Sequence, residues 1–232
     1  MILRTKSITL GYNDKDVIKD MSLEILGGDI VSIIGPNGSG KSTLLRGIMR
    51  NLKLKEGNIY LYERDIYSYS HRKLGEKVAY LPQRRNCPGD ITVQNLISYG
   101  RYPHISWRNK WRDKDGEIVI WAAQTTGVKD MLDRPMKSLS GGESQRVWLA
   151  MILAQKTDII ILDEPITALD ISYQIELLQI LKSINESLDM TIVMVLHDIN
   201  LAAQYSDALY ILKDGKIYNS GKPSDIVDRH ML

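Results

Sequence analysis

Phenylalanine is absent from this chain, and cysteine occurs once, as Cys87. One thiol excludes an intrachain disulfide and a cysteine-built zinc site, and it suits a reducing compartment. Long apolar runs are missing too. Segments such as residues 159–162 suit a buried strand, far short of the roughly 18–20 residues that cross a bilayer. Residues 1–8 are mixed in character, so no signal peptide is expected. An excess of charge of either sign is lacking. The 30 basic and 28 acidic residues leave a net charge of +2, which gives no reason to expect a nucleic-acid or anionic-lipid partner. Internal repeats and low-complexity tracts are not evident.

What remains is an ordinary globular composition, 44% hydrophobic and 25% charged over 232 residues. At roughly 150 residues per domain, that length allows one large domain or two small ones, either able to bury a core. Strand-like stretches at residues 3–10 and 17–25 flank a turn at 11–15. Ile30–Ile34 is almost wholly apolar, as in a strand covered on both faces. A glycine-rich turn follows, and then a helix from about Ser42. Residues 88–138 differ in texture. They hold Trp107, Trp111 and Trp121, and they space Val93, Leu96, Ile97 and Val119, Ile120, Ala123 as helices do, so they read as a helical insert. Alternation then resumes: strand 158–162, helix 172–188, strand 191–196, helix 200–204 and strand Ala208–Lys213. Such alternation predicts an α/β fold with a mostly parallel sheet and helices on both faces.

Two short segments carry chemistry. Gly35-Pro36-Asn37-Gly38-Ser39-Gly40-Lys41-Ser42 fits the phosphate-loop pattern, between an apolar strand and an amphipathic helix. Its glycines let the backbone turn N–H groups toward one anion, and the next helix adds its N-terminal dipole. Lys41 supplies a cation for the β- and γ-phosphates, and Ser42 a hydroxyl for Mg²⁺. The second segment ends the apolar strand 158–162 in Asp163 and Glu164, at the edge where open α/β sheets hold ligands. Asp163 is expected to hold Mg²⁺ opposite Ser42, and Glu164 to act as base on an attacking water.

Between these segments lies Leu139-Ser140-Gly141-Gly142-Glu143, a serine and two glycines before a predicted helix at 143–154, hence a second anion-reading helix end. It resembles LSGGQ, the signature of ABC ATPases, with Glu143 in place of glutamine. A carboxylate there is expected to repel phosphate. The order of the motifs is similar to that family along nearly the whole chain. The resemblance implies a P-loop NTPase of ABC type in residues 1–232, with an N-terminal antiparallel β subdomain and a helical subdomain at about 88–150. It further implies ATP and Mg²⁺ as cofactors. ATP-binding positions implied are Tyr12 (stacked on adenine), Gly35 to Thr43, Ser140, Gly141, Gly142 and Asp170. Gln83 is implied as a sensor of Mg²⁺ and the γ-phosphate, and His197 as a switch contacting that phosphate. With Lys41 and Glu164 these complete the implied catalytic set. Residues 167–170, Thr167-Ala168-Leu169-Asp170, resemble the loop that contacts a partner subunit.

The segments Tyr99-Gly100-Arg101-Tyr102-Pro103-His104, residues 169–174 and residues 196–202 resemble the ATPase subunits of iron-siderophore importers. Haem, cobalamin and metal-ion importers remain open as cargo classes, and a soluble, non-transport cassette remains as a different class. The importer resemblance implies a homodimer at the cytoplasmic face of the membrane, docked on two permease subunits and served by an extracytoplasmic binding protein. It implies no nucleic-acid partner. The end at Leu232 leaves little room for an added regulatory domain.

Overall fold

The computed structural model describes residues 1–87, 90–105, 111–167 and 169–226. Pro88 at the start of the expected insert, Trp107, Ala168 and the chain's last residues up to Leu232 lie outside the described residues.

Two sheets form the framework. The first is antiparallel: β1 (Leu3–Tyr12) pairs with β2 (Lys15–Ile25) and with β4 (Glu56–Leu61), and the short β5 (Arg64–Asp65) completes the order β2-β1-β4-β5. The β1–β2 connection is tighter than the expected five-residue turn. Only Asn13 and Asp14 lie between the strands, and Asn13 takes φ 50°. Asparagine tolerates that left-handed conformation, which permits a two-residue hairpin.

The second sheet contains β3 (Ile30–Ile34), β6 (Val78–Leu81), β7 (Ile159–Asp163), β8 (Thr191–Val195), β9 (Ala208–Lys213) and β10 (Lys216–Gly221). Its order is β10-β9-β3-β8-β7-β6. All neighbours are parallel except β10, which returns antiparallel to β9. The central strands are buried on both faces. Ile159 and Ile161 of β7 join one apolar cluster with Leu44, Leu45 and Ile48 and the antiparallel sheet, while Ile160 and Leu162 join the other, on the helical side.

Eight helices of the described residues pack around this framework: α1 (Lys41–Ile48), α2 (His71–Gly75), α3 (Val93–Ser98), α4 (Asp113–Thr125), α5 (Gly141–Ala154), α6 (Ile171–Leu188), α7 (Ile199–Tyr205) and α8 (Pro223–Ile226). Helices α3, α4 and α5 contact one another through Val93, Leu96, Ile97, Val119, Ala122, Ala123 and Val147. Ala122 takes the buried place expected of Ile120, which is only half-buried. A buried ion pair stitches this lobe together. Arg101 Nε donates to Asp115 Oδ1 at 2.9 Å, and its Nη1 to the Ala154 carbonyl at 2.6 Å. α5 starts at Gly141, two residues before the expected start, because Ser140 caps it: the Ser140 side chain accepts from the Glu143 N–H.

Candidate nucleotide-binding site

The order β3-β8-β7-β6 brings four distant segments side by side at the carboxyl edge of the sheet. The phosphate loop leaves β3, Leu196 and His197 leave β8, Asp163 and Glu164 end β7, and Pro82 and Gln83 leave β6. This edge is where parallel sheets hold ligands.

Two loop glycines have conformations that exclude side chains. Gly35 has φ 147° and a Cβ there would meet the Leu212 carbonyl at 2.1 Å; Gly40, the N-cap of α1, has φ 103° and a Cβ would meet Ile18 at 2.5 Å. Lys41 is folded into its own loop. Its Nζ donates to the carbonyls of Gly35 at 2.7 Å and Pro36 at 2.9 Å. Burial lowers the Lys41 amine, while Glu164 and Asp163 pull it back up. Ser39 Oγ is buried with no hydrogen-bond partner. A cavity of about 160 Å³ opens here, lined by Val17, Asn37, Gly38, Gly40, Lys41, Ser42, Thr43 and Glu164. Val17 carries no polar group and nothing in its sequence context marks it.

Ser42 Oγ donates to Asp163 Oδ1 at 2.9 Å, and the Tyr80 hydroxyl lies 3.5 Å from Oδ2. Burial pushes the Asp163 carboxyl up; the Ser42 hydrogen bond opposes this, and the Glu164 charge adds to it. Burial, with the Asp163 charge, pushes the Tyr80 phenol to about 12. Tyr80, Arg46, Asn51, Pro82, Gln83, Arg84 and Asp163 line a wider cavity of about 650 Å³ beside the loop. Sequence reasoning did not single out Tyr80 or Arg46.

Glu164 is the most heavily engaged acid. His197 Nε2 lies 2.8 Å from Oε1; Gln83 Nε2 at 2.6 Å and Thr167 Oγ1 at 3.1 Å donate to Oε2. Burial on its own would raise this carboxyl, but the His197 hydrogen bond and charge, with Thr167 and Gln83, hold it below the usual glutamate range. Its backbone φ is 54°, left-handed for a residue with a side chain. The structure thus brings Gln83, Glu164 and His197 together beside Ser42 and Asp163.

Other expected positions lie further out. Tyr12 ends β1 and is 42% exposed, and its hydroxyl accepts from Arg46 Nη1 at 3.1 Å. Ser140, Gly141 and Gly142 start α5 and line none of the cavities that hold Lys41 or Glu164. The Glu143 carboxylate faces its own helix end, not open solvent. Its Oε2 accepts from the Ser140 N–H at 2.7 Å, and Arg134 lies 3.5 Å from Oε1. Gly142 is covered by an aromatic ring, since a Cβ there would meet Tyr173 at 2.7 Å. Asp170 precedes α6 without a side-chain capping bond, next to Ile171, which is 61% exposed.

The donor set fits a nucleoside triphosphate. A loop of backbone N–H groups, a lysine and a helix N-terminus converge on one cavity. Ser42 and Asp163 offer hard oxygen ligands, as Mg²⁺ requires. Among the described residues no three His, Cys, Asp or Glu cluster to hold a metal by themselves. No described helix is long and apolar enough to cross a membrane.

Known proteins share this architecture. The family model described as ABC transporter matches residues 18–167. The petrobactin import ATP-binding protein FpuD of Bacillus anthracis is 45% identical over 230 residues, 99% of this chain and 84% of that protein. The ferric enterobactin transport ATP-binding protein FepC of Escherichia coli (strain K12) is 43% identical, over 99% of this chain and 85% of that protein. Among solved structures, the dimeric form of MJ0796, a bacterial ABC transporter cassette, superposes with a TM-score of 0.83 at 28% identity, over 96% of this chain and 99% of that one. A phosphate loop, an acidic strand end and a serine-capped signature helix in this order, together with relatives of this closeness, place the chain: it belongs to the ABC transporter family.

Proposed function

We propose that this chain is the ATP-hydrolysing subunit of an importer for an iron chelate of the siderophore kind. The observation that carries the chemistry is Glu164, held by His197 and Gln83 beside the Ser42–Asp163 pair and the Lys41 loop. The iron-chelate cargo is supported by the relatives named for petrobactin and ferric enterobactin.

In this reading residues 1–232 act as one cassette, with the helical lobe at about 88–150 as an insert. Tyr12 stacks on the adenine, and Gly35 to Thr43 wrap the phosphates. Lys41 exchanges the Gly35 and Pro36 carbonyls for β- and γ-phosphate oxygens. Ser42 and Asp163, assisted by Gln83, would hold Mg²⁺, which would neutralise charge on the terminal phosphates. Glu164 accepts a proton from the attacking water as its oxygen bonds to the γ-phosphorus. The bond to the bridging oxygen breaks, and ADP and phosphate leave. His197 releases Glu164 and donates toward the γ-phosphate instead. Such preorganised donors are worth most where water is excluded.

Water exclusion requires a second copy. Ser140, Gly141 and Gly142 do not line the Lys41 cavity of their own chain; the signature helix of one subunit covers the nucleotide of the other. Asp170 and the exposed Ile171 lie at that contact. The Gln83 loop and the helical lobe receive the permease, which places the chain at the cytoplasmic face of the membrane. The test is reconstitution in vesicles with permease and binding protein. ATP-dependent uptake of a ferric siderophore is expected, and it should stop when Glu164→Gln replaces the native chain. Uptake that proceeds without this chain, or that is supported only by haem, cobalamin or free metal, refutes the proposal.

A further inference from the structure

One amide side chain joins three parts of the site that sequence keeps far apart. Gln145 lies in the second turn of α5, the helix whose first residues carry the signature, and it is 9% exposed. Its Nε2 donates to the carbonyl of Pro165, the residue after Glu164. Its Oε1 accepts from Arg85 Nη1 at 2.7 Å. Arg85 in turn donates through Nε to the Pro82 carbonyl at 3.0 Å, and its guanidinium lies 5.9 Å from the Trp148 ring of α5. Pro82 and Arg85 bracket Gln83. The path therefore runs Gln83 loop, Arg85, Gln145, Pro165, Glu164.

Each link is of a kind that transmits position. Arg85 is half-buried, and its polar contacts are to neutral groups. These are Gln145, the Pro82 carbonyl and the Trp148 face, and a half-buried cation so held does not move without losing them. Burial draws the Arg85 guanidinium down to about 10, so it stays charged at neutral pH. At the other end, Glu164 has φ 54°. A residue with a side chain persists in that region only where its surroundings hold it. The Gln145 bond grips the carbonyl of the next residue from α5.

We propose that Gln145 is a positioning residue: it sets the backbone of the base Glu164 according to the position of the Gln83 loop. The proposal rests on Glu164 being the base. It assigns to one buried side chain the mechanical link between the loop that receives the permease and the group that activates water. Gln145 lines neither the Lys41 cavity nor the Tyr80 cavity. It therefore acts on kcat and not on nucleotide affinity.

The experiment compares Gln145→Met, Gln145→Glu and Arg85→Met in the complete complex with permease and binding protein. Methionine keeps the volume of glutamine and removes both hydrogen bonds. Glutamate keeps an acceptor for Arg85 and loses the donor to Pro165. Gln145→Glu should lower kcat by about tenfold, the worth of one lost buried hydrogen bond, and Gln145→Met by at least as much, each with KM for ATP changed by less than about twofold. Arg85→Met should lower kcat as well. Combined with Gln145→Met, it should add nothing further, because the two residues act in series. A purely packing role predicts instead that Gln145→Glu and Gln145→Met turn over at the native rate, and that result overturns the proposal. So does a fully additive double variant. Glu164→Gln serves as the control: if it hydrolyses ATP normally the base is misassigned, whereas a dead Glu164→Gln beside a fully active Gln145→Met refutes only the Gln145 link.

Discussion

Replacing Glu164 by glutamine separates chemistry from folding more cleanly than any other change at this site. The carboxylate holds His197 at 2.8 Å through one oxygen, and Gln83 at 2.6 Å and Thr167 at 3.1 Å through the other. Glutamine has the same shape. With its oxygen toward Gln83 and Thr167 and its NH₂ toward a neutral His197, all three contacts survive. The exchange of one charged for one neutral partner in a half-exposed site should change stability by less than about 1 kcal/mol. Lost, however, is the carboxylate assigned to take a proton from the attacking water. General-base catalysis contributes roughly 10²- to 10⁴-fold, or about 3–5 kcal/mol of barrier. ATP affinity should persist, since Lys41 and the loop amides are untouched, and the bound state should accumulate as a dimer. Phosphate-release kinetics, a melting curve and size exclusion with ATP read the three quantities separately. Native turnover in the folded variant would show that Glu164 is not the base.

Further outcomes follow from the same geometry. Lys41→Ala removes the buried cation and should raise the Kd for ATP by more than tenfold, about 1.5–3 kcal/mol for a charge-assisted contact, read by nucleotide titration. Gly142→Ala should destabilise the free chain by about 1–2 kcal/mol, because the new methyl meets the Tyr173 ring at 2.7 Å; adding Tyr173→Ala should restore the melting temperature. Glu143→Gln should shift stability by less than about 1 kcal/mol and leave turnover within about twofold, because the exposed Arg134 pair is weak and the carboxylate caps its own helix. Chelation of Mg²⁺ should abolish turnover while binding of nucleotide to the loop remains measurable, since Ser42 and Asp163 then simply retain their mutual hydrogen bond.

The phosphate loop and the β7 acids were legible because local rules place them. Apolar runs such as Ile30–Ile34 announce doubly covered strands, and glycine spacing announces the turn. The antiparallel first sheet was legible only in part. β4 and β5 lack an alternating pattern, since Glu56, Gly57 and Asn58 are all exposed. β6 is only Val78–Leu81, too short for a periodic signal, although it positions Gln83. The contacts that finish the site are the least legible. Arg85 and Gln145 are 60 residues apart, and Ser42 and Asp163 are 121 apart. Side chains meeting at such separations leave no local pattern, so Tyr80, Arg46 and Gln145 gave no sign of their places. Glu143 was expected to oppose phosphate, and only the fold shows its charge turned onto the Ser140 amide.

The neighbouring strands β3, β8, β7 and β6 behave as the teeth of one comb, each tipped with a different reagent. Adding a single residue within any one of them would advance its tip by about 3.3 Å and turn every later side chain to the opposite face. Such an insertion should silence the cassette completely. Tolerance to length change should therefore be graded strand by strand, and a scan of single-residue insertions would draw the outline of the working edge without any ligand being present.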